Sequence, residues 1–411
     1  MDVFGRYFSR NVVVSLPDFP AGISLIAIIP VFNDDDIFKT LDSLSSCRRR
    51  NVRVGVVIVV NHGENCPENI KEHNRCLFRK ICDYTRELAA PDLFFHLIEA
   101  FDLPAKQAGV GYARKIAMDC AALYFQEQGC PDGVIASLDA DTLLQKNYFE
   151  ELIWTFENTF LAGVSIAYEH PLDVADPGVR EAIIKYELYL RYYCLALRYA
   201  GHPYAFQCIG SAFAVRAIDY VAQGGMNKRQ AGEDFYFLQK LISTGRFADL
   251  TATKVYPSAR LSERTPFGTG QAVKQIIADR GEYQTYHLEA FRALKSFFCG
   301  LDVLYEADEG RIRQYVEKQA VPLRCFLDTM DFIGMVSEIN ANVASAGLFR
   351  KRFFDSFNAF RVLKYLNYVH PYHYPKMDIL AAAVSLLVDC KQYVPGSAEE
   401  ALSLLREPLF L

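Results

Sequence analysis

Asp139 and Asp141 stand at i and i+2 directly after the apolar run VIASL. Carboxylates at that spacing beyond a strand can converge on one divalent cation. A hard cation with oxygen ligands bridges carboxylates to a diphosphate. The plainer alternative is a turn in which each carboxylate caps local backbone groups. Gly232-Glu233-Asp234 is a second acidic group, opening an amphipathic helix. Acids favour a helix N-terminus through the macrodipole, and a carboxylate facing a cleft can serve as general base toward a hydroxyl. Lys106, Arg114 and Lys115 surround Gly109-x-Gly111. A glycine-containing loop that runs into a helix with cations nearby can hold an anion. The third glycine of a dinucleotide fingerprint is missing. Arg260 and Arg264 stand four apart before Gly268-Thr269-Gly270. A loop bearing arginines can close over a diphosphate and neutralise a leaving group. The plainer alternative for both basic segments is a solvated surface.

Such residues need elements to place them. ISLIAIIPVF (23–32) and VRVGVVIVV (52–60) are continuous apolar, β-branched runs, the pattern of strands buried on both faces in a parallel sheet. FFHLIEA (94–100) and GVIASLDADT (133–142) read as the third and fourth strands, GVSIAYEH (163–170) as a fifth, and SAFAVRA (211–217) as strand-like. Helices are expected after Asp36, before Leu93, and over 111–125, about 179–200 and 235–243. Asn147 with Glu150 suggests a capping-box-like start for another. Alternating strands and helices specify an α/β layer with a mostly parallel sheet. Functional groups gather beyond the carboxyl ends of such strands, and the acids and loop cations fall at such ends. From about 285 onward the sequence reads as helical. The expected organisation is an α/β domain over 1–280 and a helical region over 281–411.

Composition bounds the reading. The 411 residues carry 44 Lys plus Arg against 49 Asp plus Glu, so net charge is 44 − 49 = −5. That disfavours a nucleic-acid binder working through bulk charge. Eleven cysteines without a Cys-x-x-Cys point to free thiols in a reducing compartment. No signal peptide or bilayer-length apolar run is seen, so a cytoplasmic protein is expected. Tyr186, Tyr189, Tyr192, Tyr193 and Tyr199 read as helix core, while Tyr204 and Phe206 are acceptor candidates. His370-x-x-His373 lacks the Glu of a zinc-protease pair and reads as structural. Phe297, Phe298, Phe349, Phe353, Phe354, Phe357 and Phe360 suit either an apolar interface or packing on the α/β domain.

The ordered segments IIPVFND (28–34), VVIVVNHGE (56–64), QAGVGYARKIAMDCA (107–121), SLDADTLLQKNYFEEL (137–152) and IGSAFAVRAIDYVAQGGMNKRQAGEDFYFLQKL (209–241) resemble family 2 glycosyltransferases of the GT-A fold. The resemblance covers about residues 23–270. It implies a nucleotide-diphosphate sugar as donor and Mn²⁺ or Mg²⁺ as cofactor. Pro30, Phe32, Asn33, Asp34 and Asn61 would serve the nucleotide. Lys106, Gly111, Arg114, Arg260 and Arg264 would serve the diphosphate. Asp139 would lie near ribose or metal, Asp141 on the metal, and Asp234 would be the base of an inverting transfer with Glu233 close by. Glu263 would substitute for a downstream metal-binding His. The acceptor would be a glycan, a lipid-linked molecule or a small molecule. The C-terminal region lies outside the resemblance and matches no motif; binding acceptor, forming a homodimer and docking at the inner face of the membrane are the roles left open for it.

Several positions depart from the family pattern. Asn61 stands for Asp, Lys115 for Asn, and the Gln-x-x-Arg-Trp motif of processive members is absent. Two other readings stay open. One is an aspartate-nucleophile phosphotransferase on Asp139, although Leu143 stands where the haloacid-dehalogenase-like pattern wants Thr or Val. The other is an inactive GT-A-like binding module.

Overall fold

The apolar runs form strands because burial on both faces removes their large β-branched surface from water. In a computed structural model, residues 2–228, 232–261, 268–391 and 393–407 are described. The elements in chain order are α1 (Val3–Phe8), β1 (Leu25–Val31), α2 (Ile37–Ser45), β2 (Val54–Gly63), α3 (Glu68–Leu88), β3 (Leu93–Leu103), α4 (Val110–Glu127), β4 (Val134–Ser137), β5 (Thr142–Leu144), α5 (Tyr148–Asn158), β6 (Gly163–Tyr168), α6 (Pro177–Tyr199), β7 (Phe213–Arg216), α7 (Ala217–Ala222), α8 (Glu233–Ile242), β8 (Phe247–Pro257) and α9 (Thr269–Ala278). Then follow β9 (Gln284–Thr285), α10 (Leu288–Cys299), α11 (Glu309–Glu317), α12 (Val321–Asp328), α13 (Phe332–Ala341), α14 (Ala346–Ser356), α15 (Ala359–Tyr372), β10 (Met377–Asp378), α16 (Ile379–Lys391) and α17 (Ala398–Leu405). The chain forms two compact units. The first holds residues 1–175 and 208–274; the second holds 176–207 and 275–411. The second unit therefore takes in α6 together with the helices from α10 onward.

The first unit is α/β, as expected. Its sheet runs β3-β2-β1-β4-β7-β6-β8-β5. The pairs β1–β2, β2–β3, β1–β4 and β6–β8 are parallel. β7 lies antiparallel between β4 and β6, and β5 lies antiparallel to β8. Every residue of β1 is buried, and α4 packs across β1 and β2. The expected fourth strand breaks at its acids: β4 stops at Ser137, and Thr142–Leu144 leave to pair with β8. The capping box at Asn147 does not form. Its amide instead donates to Ala252 O at 2.9 Å and accepts from Thr253 Oγ1 at 3.0 Å, holding β8 in place.

Lys115 does not face an anion site. It is buried and donates to Asp119 Oδ2 at 2.8 Å and to Tyr7 Oη at 2.7 Å. Tyr7 and Tyr220 both donate to Asp119 Oδ1, at 2.7 and 2.5 Å. The charge is paired and its carboxylate saturated, which is how a lysine is tolerated in a core. This network ties α1 and α7 to α4.

The second unit is helical among the described residues apart from the short β9–β10 pair. Its phenylalanines are its own core. Phe297, Phe298, Phe349, Phe353, Phe354 and Phe357 are buried, and Phe297 and Phe298 both meet Phe357 at a ring-centroid distance of 5.6 Å. The expected apolar interface is therefore spent within the unit, and Phe360 alone of the set is half-buried. Glu187 on α6 is fully buried. It accepts from Arg191 Nε and from Arg406 Nε, both at 2.8 Å, so the end of α17 is held on α6. His370 is structural, as expected. Its Nε2 accepts from His287 N at 2.7 Å, and its Nδ1 lies 2.6 Å from Leu366 O. Tyr192, Tyr199 and Tyr204 donate to Tyr286 O, Asp389 and Asp355. Burial pushes His202 down to about 4, so its ring is neutral at pH 7. All eleven cysteines are free thiols. Among the described residues, no helix is long and apolar enough to cross a membrane.

Candidate active site

Three strand ends and two helix starts bring the predicted residues to one edge of the first unit's sheet. β1 ends at Val31, and Asn33 turns the chain with φ 49, a left-handed conformation asparagine tolerates. Its N–H donates to Asn74 Oδ1 at 2.9 Å. Asn74 in turn donates to Asn61 O at 3.1 Å, and Asn61 Nδ2 donates to Val31 O at 2.9 Å. These asparagines thereby lock the ends of β1 and β2 to α3. Pro30 is buried within β1, and Phe32 is half-buried. Asp34 and Asp36 follow, and Asp36 N donates to Asp34 Oδ1 at 3.1 Å. Asp36 is the N-cap residue of α2, but its carboxylate caps nothing.

Arg114, in the first turns of α4, is 2% exposed. One end of its guanidinium meets Glu233, and the other donates to Asp139 Oδ1 at 2.6 Å. Glu233 is equally buried at 2%, whereas the Asp139 side chain is 38% exposed. Burial works against the charge of Arg114, but Glu233, Asp139 and Asp234 outweigh it and raise its pKa. Arg114 therefore braces the turn after β4 against the start of α8. It is not an open diphosphate ligand. Gly210 makes room for it: a Cβ there would lie 2.7 Å from Arg114 Nη2. Gly210→Ala should lower stability by about 1–3 kcal/mol, the usual range for overpacking. A urea melt checks this, and an unchanged midpoint would show that Arg114 can yield.

α8 starts from Gly232, whose φ of 71 favours glycine. Asp234 is half-buried, and its Oδ1 accepts from Phe235 N at 2.7 Å. Burial raises the pKa of Asp234, and Arg114 opposes the shift. Glu233 is raised by burial in the same way, again against Arg114.

Arg260 lies three residues beyond β8. The register pairs Thr142 with Pro257, so Arg260 comes beside Asp141. Its guanidinium donates to Asp34 Oδ2 at 2.6 Å, to Asp141 Oδ2 at 3.0 Å, and to Asp36. Asp36 also pairs with Lys39 at 2.8 Å. Among the described residues, the Nε of Arg260 is buried with no acceptor. The sequence pointed to Arg260 and Asp34 separately but missed Asp36, which looked like one more acid ending a strand.

Asp139 and Asp141 thus do not converge on a common point: one faces Arg114 and the other Arg260. Among the described residues, no three His, Cys, Asp or Glu side chains are set as a metal site. The acids as arranged here do not fit a divalent cation. Glu263 and Arg264 lie outside the described residues. Lys106 is exposed in the turn after β3, and Gly111 is buried in the first turn of α4.

No protein-family model matches the chain, and no curated protein matches it. Solved structures are similar at a distance. S. aureus TarS 1–349 in complex with UDP-GlcNAc is 12% identical with a TM-score of 0.40, over 82% of this chain and 92% of that one. The same piece of TarS in complex with UDP is 11% identical with a TM-score of 0.38, over 81% and 91%. GalNAc-T7 with UDP, GalNAc and Mn²⁺ is 12% identical with a TM-score of 0.38, over 86% of this chain and 58% of that one. Likeness at this level carries no argument about the site, which stands on the chain's own residues.

Proposed function

We propose that the first unit is a GT-A glycosyltransferase of the family 2 type, which moves a sugar from a nucleotide-diphosphate sugar to a hydroxyl-bearing acceptor with inversion. The observation that carries this is one edge where Asp34, Arg114, Asp139, Asp141, Glu233, Asp234 and Arg260 meet. A site of this kind supplies acids for hydroxyl groups, a loop-borne guanidinium for a diphosphate, and a carboxylate of raised pKa to take a proton.

In this reading Asp234 removes the proton from the acceptor hydroxyl as the oxygen attacks the anomeric carbon. A single in-line displacement needs one base. Glu233 is committed to Arg114, so its part is to hold that arginine. Asp139 is exposed enough to accept from a ribose hydroxyl while Arg114 fixes its orientation. Arg260 is the guanidinium that would meet the leaving diphosphate. No step is assigned to a metal ion.

The test is a thermal-shift panel of UDP-, GDP- and dTDP-sugars, with and without Mn²⁺. A ligand at 100 times its dissociation constant should stabilise by about 2.7 kcal/mol. One nucleotide should stand out. A flat panel across all of them would overturn the reading.

A further inference from the structure

A cavity of about 670 Å³ lies at the amino-terminal ends of β1, β4, β6 and β8. The acids of the candidate active site stand beyond the carboxyl ends of β1 and β4, so the proposed transfer does not use it. Its volume is that of an ordinary small-molecule site. Ile23, Ile153 and Phe156 give it apolar lining, and Phe160, 92% exposed, lines it as well. Two guanidiniums, Arg216 and Arg246, share the cavity with three carboxylates, Asp132, Glu157 and Asp219. The cations are taken. Arg216 donates to Leu161 O at 2.8 Å, to Thr159 O at 2.7 Å and to Phe156 O. Arg246 donates to Asp219 Oδ1, and to Phe160 O at 3.3 Å. Acceptor capacity is left over. Asp219 is 5% exposed, and among the described residues its Oδ2 is buried with no partner. A buried acceptor left unpaired is costly. Glu157 is exposed in the last turn of α5, where the helix dipole disfavours an anion.

We propose that this cavity binds a small organic amine, with its ammonium donating to Asp219 and its apolar body against Ile23, Ile153 and Phe160. The ammonium gives Asp219 Oδ2 the donor it lacks. It also offsets the charge of Glu157 at the negative end of α5. Arg246 is 48% exposed, so its side of the pair with Asp219 can shift to admit a second donor. An exposed aromatic ring beside carboxylates suits an organic cation better than a neutral or anionic ligand.

The experiment is isothermal titration of the full chain with three probes of one shape: phenethylamine, phenethyl alcohol and hydrocinnamate. The amine should bind, and the alcohol and the carboxylate should bind about tenfold more weakly or not at all, the difference a charge-assisted hydrogen bond makes. Asp219→Asn puts a donor where the amine needs an acceptor and should weaken amine binding about tenfold. Glu157→Gln and Phe160→Ala change exposed side chains, so they keep the test open if the buried Asp219 variant does not fold. Each should weaken amine binding about threefold, as expected for an exposed charge or cation–π contact. Trp154→Ala alters an exposed residue of the same helix that does not line the cavity, and it should leave binding unchanged. Four outcomes overturn the proposal: no amine bound by the parent, alcohol or carboxylate bound as tightly as the amine, amine binding untouched by both Glu157→Gln and Phe160→Ala, or an equal loss in Trp154→Ala.

Discussion

Arg114→Met should cost the first unit about 3–5 kcal/mol, the range for removing one partner of a buried ion pair. The reason lies in what stays behind. Glu233 is 2% exposed and pairs with Arg114, so without the arginine its charge is stranded. The loss should depend on pH. A buried carboxyl without its cation has a folded-state pKa above its unfolded value. Such a group favours the folded state only while it is protonated, and that support fades as pH rises through the folded pKa. The deficit of Arg114→Met should therefore be smallest in acid and grow toward neutrality. Urea melts at several pH values measure it. Adding Glu233→Gln should recover much of the loss, because no charge is then stranded. A pH-independent deficit that Glu233→Gln leaves untouched would show that Arg114 contributes packing alone.

The second large effect is on turnover. Asp234→Asn should lower kcat by about 10²–10⁴-fold, the usual contribution of a general base, while nucleotide-sugar binding is kept. Burial raises the pKa of Asp234. The base works only when deprotonated, so the acid limb of the pH–rate profile should lie above the ordinary aspartate range. Asparagine cannot accept the proton, and that limb should vanish from any residual rate. Turnover that survives with its acid limb intact would move the base to another residue.

Much of this was legible in the sequence, for a physical reason. β1, β2 and the start of β4 are buried on both faces, so their apolar runs had no competing explanation. β8 was missed. It is buried at Phe247, Leu250 and Thr253, then at Val255 and Pro257, a spacing of three that turns into two. The register shift between Ile166 and Ala167 of its neighbour β6 matches that change. A bulged strand loses the period by which strands are read. The missing strand also hid the site's main surprise. Only the antiparallel pairing of β5 with β8 brings Arg260 to Asp141, and no local pattern carries that. Asp139 and Asp141 were read as a pair because they are close in sequence. Arg114 and Arg260 separate them.

The second unit is built from two stretches of chain, with most of the sheet edge that carries the acids made before and between them. This sets a schedule for synthesis. Glu187 leaves the ribosome 219 residues before Arg406, its partner on the other side, a wait of about 10–45 s at 5–20 residues per second. Through that interval α6 has its apolar residues Ile183, Leu188 and Leu195 made, but neither α16 nor α17 to cover them. It also means that cutting the gene after residue 274 would not release the first unit alone, because α6 would come with it.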